Sequence, residues 1–210
     1  MQLLTVGDSF TYGEELSDIN QAWPFLLGQQ IDYTVTNLAL PSKSNNYMLR
    51  TVIDHADNYD LIVVAWSHFA RWEWADQTGI YDVWPGNLGN LFTGELTYRK
   101  DLIDYVSRHY SDQYLYTQYL TNIILLQSYL TQHNKRYIMI DAFGNTKVRY
   151  LNNRLSKQID SRYYVGWPTE SMMEWTYGCP KGPCGHFLEQ GHRQVAEKIN
   201  EHIRNLGWVS

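Results

Sequence analysis

Apolar residues in this chain come in short runs, separated by stretches with helical spacing. The first run, Leu3-Leu4-Thr5-Val6, ends in Gly7-Asp8-Ser9 and a polar loop containing Gly13. A run of about 4–8 apolar residues bounded by turn residues reads as a buried strand. Ala22 to Leu27 opens a short helix, with Pro24 in the first turn, where a missing N–H costs nothing. Asp32 to Leu38 alternates and is β-branched, so it reads as a second strand. A helix from about Asn45 to Asp57 follows, capped by Ser44 or Asn45. Asp60 to Trp66 is apolar without alternation, the pattern of a central parallel strand covered on both faces.

The stretch from Trp72 to about Leu96 lacks periodicity and is rich in Trp, Gly and Asn. It reads as an insertion of irregular loops, longer than ordinary connections and of the kind that forms functional lids. Asp101 to Tyr110 reads as helix. Leu115, Tyr119, Ile123, Leu126 and Leu130 predict a long helix over Tyr114 to His133. Arg136 to Asp141 is a fourth strand, Val148 to Ile159 a helix, and Tyr163 to Trp167 a short fifth strand. Pro168 to Gly185 is an aromatic loop rich in Gly and Pro. Glu189 to Asn205 is a final helix, with Val195, Ile199 and Ile203 on its core face and Leu206 just beyond. Strands alternating with helices imply a parallel sheet with right-handed crossovers. The expectation is one α/β domain over residues 1–210. It is a three-layer α/β/α sandwich around a doubly wound sheet of about five strands, with the aromatic insertion at about 70–100.

Composition narrows the partners. The 210 residues suffice for one full core, and 44% are hydrophobic, as in ordinary globular chains. The net charge of −5, without a basic run, argues against nucleic acid. No apolar stretch approaches the ~18 residues of a membrane span, and Met1 directly before the first strand leaves no room for a signal peptide. A cytoplasmic location follows as the expectation. Cys179 and Cys184 would stay thiols in a reducing cytosol. With His186 they fall short of the four ligands of a structural zinc site, so no metal is expected. The 17 Tyr and 8 Trp cluster outside the strands. They suggest an interaction surface or loops packed on themselves.

Four loops converge on one sheet edge in such a topology: those at Ser9, Ser42, Ser67-His68 and Gly185-His186. Open α/β sheets place ligands at the carboxyl ends of strands. Ser9 there is a candidate nucleophile and His186 a candidate base from a different loop. The N–H of Ser9 can face the oxyanion it creates. Arg71 and Glu73 are a candidate ion pair at the rim. Trp72, Trp74, Trp84, Trp167 and Trp175 are candidates for a sugar-stacking cleft. His192, inside the last helix, reads as structural.

Gly7-Asp8-Ser9 resembles the first block of the SGNH (GDSL-type) hydrolase superfamily. Gly185-His186-Phe187-Leu188-Glu189-Gln190-Gly191-His192 is similar to its last block, Asn37 to Ser44 to its second, and Val63 to Phe69 holds the place of the third. The resemblance implies a flavodoxin-like sandwich that hydrolyses esters, including acyl groups on lipids and carbohydrates, without a cofactor. By that resemblance Ser9 is nucleophile, His186 base and acid, and Asp8 structural. Oxyanion donors would be the N–H groups of Ser9 and Ser42, with His68 or Ser67 at the family's asparagine. Arg71, Trp72, Trp167 and Trp175 would contact a small-molecule or glycan ester. The family's aspartate falls on Cys184 or Pro183. Three readings follow: a Ser-His dyad, an acid from elsewhere with Asp141 the candidate, or an inactive site. The last gives a rival function, a binding or assembly module. Chains of this kind also resemble open reading frames of tailed phages, which leaves a virion location, a homo-oligomer or a larger viral assembly open.

Overall fold

The computed structural model describes residues 1–77, 79–83, 104, 108–145 and 154–209. Four parallel strands make the central sheet: β1 (Gln2–Val6), β2 (Thr34–Asn37), β3 (Leu61–Trp66) and, last in the chain, β6 (Arg136–Asp141), in the order β2-β1-β3-β6. Every residue of β3 is buried. Successive side chains of a strand point to opposite faces, and here each face has its own core. Leu4, Val6, Ile62, Val64 and Trp66 pack with α3 (Asn45–His55) and α4 (Asp112–Gln132). Leu3, Leu61, Val63, Ala65 and Ile140 pack with α2 (Trp23–Ile31) and α6 (Glu189–Asn205). Both cores are needed because a parallel sheet has no face left for water.

Local chemistry sets the ends of these helices. Ser44 caps α3 by accepting from Tyr47 N, and Ser111 caps α4 by accepting from Tyr114 N, both at 3.3 Å. Pro24 stands in the first turn of α2. Asp32, expected to start the second strand, instead ends α2 in a left-handed conformation with φ 58°.

The chain runs from β1 to β2 on one side, then returns past β1 to β3. The strand order therefore reverses between β1 and β3, and a crevice opens at their carboxyl ends. Ser9 leaves β1 at this point, and Ser67 and His68 leave β3.

Several sequence expectations change. The residues after Ser9 form a helical turn, α1 (Ser9–Tyr12), not an open loop. Its cap is Asp8, whose side chain accepts from Phe10 N. The start of the insertion is ordered as an antiparallel hairpin of β4 (Trp72–Asp76) and β5 (Gly79–Val83). Period-two burial in a two-stranded ribbon leaves too little contrast to read from sequence. The fifth strand shrinks to one parallel bridge, Met139 with Tyr164, continued by Val165 N donating to Met139 O at 2.9 Å. The aromatic loop contains one helical turn, α5 (Met172–Trp175). The rest of the insertion, most of Asp101 to Tyr110 and the first half of Val148 to Ile159 lie outside the described residues; the second half holds a short 3-10 turn at Ser156–Gln158, not an α-helix.

Candidate functional site

Ser9 is the first residue of α1 and is 4% exposed. Three features fix it. Gly7 comes just before the turn, where a Cβ would stand 2.2 Å from Thr11 Oγ1, so only glycine lets the turn close. Asp8 is fully buried; besides capping the turn, its Oδ2 accepts from Ser67 Oγ at 2.6 Å and faces Arg71 Nη1 at 3.3 Å. As the first residue of a helical turn, Ser9 has an N–H without a carbonyl partner inside that turn.

His186 Nε2 lies 2.8 Å from Ser9 Oγ, although the residues are 177 positions apart. The histidine sits just before α6 on a tight loop in which Gly182 N donates to His186 O at 2.9 Å and Lys181 bridges Phe187. Phe10 packs on the imidazole, with ring centroids 4.7 Å apart.

The other ring nitrogen is held by Glu15. Its Oε2 is 2.9 Å from His186 Nδ1 and accepts from His186 N at 3.1 Å, while Oε1 accepts from Cys184 N at 2.8 Å. The Cys184 N–H above all, then the His186 hydrogen bonds, hold the Glu15 carboxyl below its ordinary range. Gly182 makes room for it: a Cβ there would lie 2.5 Å from Glu15 Cδ. Glu15 itself adopts φ 72°. That left-handed conformation costs a non-glycine residue about 1–2 kcal/mol. The preceding carboxylate comes to the opposite nitrogen, with Glu14 Oε2 3.5 Å from His186 Nε2.

Asp141 was the sequence candidate for the acid, and the structure corrects this. Its Oδ1 accepts from Tyr119 Oη at 2.5 Å, Tyr164 Oη at 2.9 Å and Asn145 Nδ2 at 3.0 Å, inside the α4-side core. Burial pushes its carboxyl up to about 7. Asp141 therefore acts on the β3 exit through Asn145, which also donates to Ser67 O at 2.9 Å and accepts from Phe69 N at 3.0 Å. Asn45 clamps the same bend, accepting from Ser67 N at 2.9 Å and donating to His68 O at 3.2 Å.

His68 belongs to the same edge through a line of rings: His68 on Phe143 at 5.9 Å, Phe143 on Phe10 at 5.2 Å, and Phe10 on His186. Its Nδ1 accepts from Ala70 N at 3.2 Å, which places its proton on Nε2. Burial, then the Arg71 charge, lowers its pKa and keeps it neutral. Ser67 is removed as an oxyanion donor, because its one hydroxyl proton goes to Asp8. Ser42 has φ 67°, the left-handed conformation that glycine adopts at no cost, so its backbone keeps the turn that a glycine would make.

The remaining residues divide differently from expectation. Arg71 faces Asp8, and Glu73 pairs instead with Arg50 at 2.6 and 2.8 Å. Trp72 and Trp74 line a cleft of about 260 Å³ with Tyr110 and Tyr114, and neither Ser9 nor His186 is in its lining. Trp167 packs on the α4-side core, and Trp175 on the α6-side core with Nε1 donating to Glu170 at 2.9 Å. Trp84 lies outside the described residues. His192 is buried, accepts from Trp23 N at 3.1 Å, and is held neutral by burial, which pushes its pKa down to about 3. Both cysteines are free: Cys179 is buried with Sγ on Gln194, and Cys184 is exposed. Among the described residues no helix is long and apolar enough to cross a membrane, and no cluster of metal-ligating side chains occurs.

Glu15 is the residue that sequence reasoning missed. Its signal was an acidic pair in the loop just after Ser9, on the edge where the site forms. The family's pattern puts the acid just before the histidine, where this chain has Pro183 and Cys184.

A family model described as a family of unknown function, DUF6071, matches residues 11–210, a span that takes in Glu15 and His186 and begins just past Ser9. The chain belongs to DUF6071. No curated protein matches this DUF6071 sequence. Its fold is similar to that of solved hydrolases at low identity. The crystal structure of TesA superposes with a TM-score of 0.60 at 16% identity, over 98% of this chain and 99% of that one. A carbohydrate esterase family 2 enzyme from Corynascus thermopiles (Myceliophthora fergusii) gives 0.57 at 12% identity, over 99% of this chain and 67% of its own. A member of the lipolytic protein G-D-S-L family from Veillonella parvula gives 0.51 at 13% identity, over 96% and 97%. At these identities the likeness establishes the SGNH-hydrolase fold for this DUF6071 chain.

Proposed function

We propose that this protein is a serine esterase. The observation that carries the reading is the continuous line Glu15–His186–Ser9, with contacts of 2.9 and 2.8 Å. Ser9 Oγ attacks the acyl carbonyl as His186 Nε2 takes its proton. Glu15 fixes the tautomer with the proton on Nδ1 and stabilises the imidazolium that forms. The oxyanion is held by the N–H groups of Ser9 and Ser42, with His68 Nε2–H standing where the family has asparagine. His186 then gives its proton to the leaving alcohol, and water repeats the sequence on the acyl-enzyme. No step of this chemistry calls for a metal or organic cofactor. An O-acylated carbohydrate is the substrate class we favour. The carbohydrate esterase among its structural relatives supports that choice.

The rival reading, a binding or assembly module that has lost its chemistry, rests on the altered third block, the aromatic surface and a histidine without an acid in the family's position. Glu15 at His186 Nδ1 speaks against the last of these. The test is hydrolysis of 4-nitrophenyl acetate and labelling by a fluorophosphonate probe, in wild type and Ser9→Ala. Activity and labelling in the wild type alone are expected. Equal results in the two proteins would overturn the reading.

A further inference from the structure

The mechanism above uses one of the two carboxylates at His186 and leaves the other without a task. Glu14 Oε2 lies 3.5 Å from Nε2, the nitrogen that faces Ser9, and its side chain is 42% exposed. Glu15 holds the ring from the Nδ1 side. Glu14 instead stands beside Nε2, the nitrogen that faces Ser9.

We propose that Glu14 sets the charge preference of the site for the alcohol portion of its ester. The proposal rests on Ser9 and His186 acting as nucleophile and base. A leaving oxygen that takes a proton from Nε2 must come within about 3 Å of it. That oxygen is then no more than about 6.5 Å from Glu14 Oε2, whatever the substrate's pose. The charge of an aryl alcohol sits about one ring farther out, within about 12 Å of the carboxylate, where with partial solvent screening it changes the rate by about threefold, so that opposite unit charges differ by about tenfold. Neutral, hydroxyl-rich alcohols and cationic ones are accepted, and a hydroxyl next to the ester can donate to Glu14. Alcohols bearing a carboxylate or phosphate are disfavoured. The hydroxyl of a neutral sugar fits this; a uronate or sugar phosphate does not.

The step that reads this is acylation. The C–O bond to the alcohol breaks, the acyl group passes to Ser9 Oγ, and the alcohol leaves with the proton from His186. Its rate is contained in kcat/KM, whereas deacylation no longer involves the alcohol. Three aryl acetates of similar shape separate the cases: 3-acetoxy-N,N,N-trimethylanilinium, 3-tert-butylphenyl acetate and 3-acetoxybenzoate. Comparing each with itself in wild type and Glu14→Gln cancels its intrinsic reactivity. The cationic-to-anionic ratio of kcat/KM should fall about tenfold in Glu14→Gln. It should be kept in Glu14→Asp, which retains the charge, and shrink in the wild type as salt rises from about 0.02 to 0.5 M. All three acetates moving together in Glu14→Gln, or a ratio that stays fixed, would overturn the proposal while leaving the esterase reading intact. Failure of the wild type to hydrolyse any of the three, with no labelling of Ser9, would sink the esterase reading and this proposal with it.

Discussion

Glu15 Oε2 stands 2.9 Å from His186 Nδ1, from a loop 171 positions earlier in the chain. The carboxylate that meets the histidine thus comes from the segment that carries Ser9, the proposed nucleophile. Removing its charge while keeping its shape tests that role. In Glu15→Gln the amide can present either its oxygen or its NH₂ to Nδ1, so the tautomer is no longer enforced. We expect kcat to fall by about 10²- to 10⁴-fold. KM for a small acetate should change little. Steady-state kinetics on the purified variant check this, and an unchanged kcat would mean that Glu15 is structural only.

Gly182 gives a second handle on the same carboxylate. Gly182→Ala puts a Cβ 2.5 Å from Glu15 Cδ and forces one of them to move. A displacement of about 1 Å at a catalytic group can cost about 10²-fold in rate. The expected outcome is a loss of that order in kcat with thermal stability close to wild type, since the loop is at the surface. Combining it with Glu15→Gln should add little, because both act on one contact.

His68 offers a test of the oxyanion side. Loss of one such donor typically costs about 10²–10³ in kcat. His68→Ala should show that loss. His68→Asn, which restores an N–H donor of the family's kind, should recover part of it. Equal activity in wild type and His68→Ala would remove His68 from the oxyanion site and leave it as a packed residue against Phe69 and Phe143.

Two buried groups tie stability to pH with opposite signs. The Asp141 carboxyl is raised to about 7 in the fold, against about 3.9 unfolded. Between those values the folded chain holds a proton that the unfolded chain has lost, so this group's contribution to stability falls as pH rises through the window. The His192 imidazole is pushed down to about 3, against about 6.5 unfolded. There the unfolded chain binds the extra proton, and stability falls as pH drops below about 6.5. Urea unfolding of Asp141→Asn should therefore gain on wild type between pH 5 and 8. His192→Gln should lose ground to wild type over the same rise. Parallel curves for either variant would contradict the assignment.

The fold was legible because burial leaves a direct trace in composition. Leu61 to Trp66 reads as a central strand because a short apolar run with three β-branched residues, bounded by polar ones, fits a strand covered on both sides. The partnership of Ser9 and His186 was legible because each stands in a block with its own sequence signature. Glu15 was not, because nothing local distinguishes a carboxylate that turns inward at φ 72° from one left in solvent. Asp141 misled for the converse reason. Its position at a strand's carboxyl end is shared by functional and purely structural acids, and Tyr119, Tyr164 and Asn145 decide the matter from far along the chain. The β4–β5 hairpin was hidden by its own composition, since tryptophan and glycine serve loops and ribbons alike.

The placement of the acid changes how the site is held together. The proposed nucleophile and acid both come from the stretch between Gly7 and Glu15, at the carboxyl end of β1. The proposed base comes from a distant loop whose backbone N–H groups at Cys184 and His186 donate to the Glu15 carboxylate. Two main-chain hydrogen bonds to one carboxylate thus tie the His186 loop to the Ser9 segment, so the geometry of the site is set by backbone amides as well as by side chains.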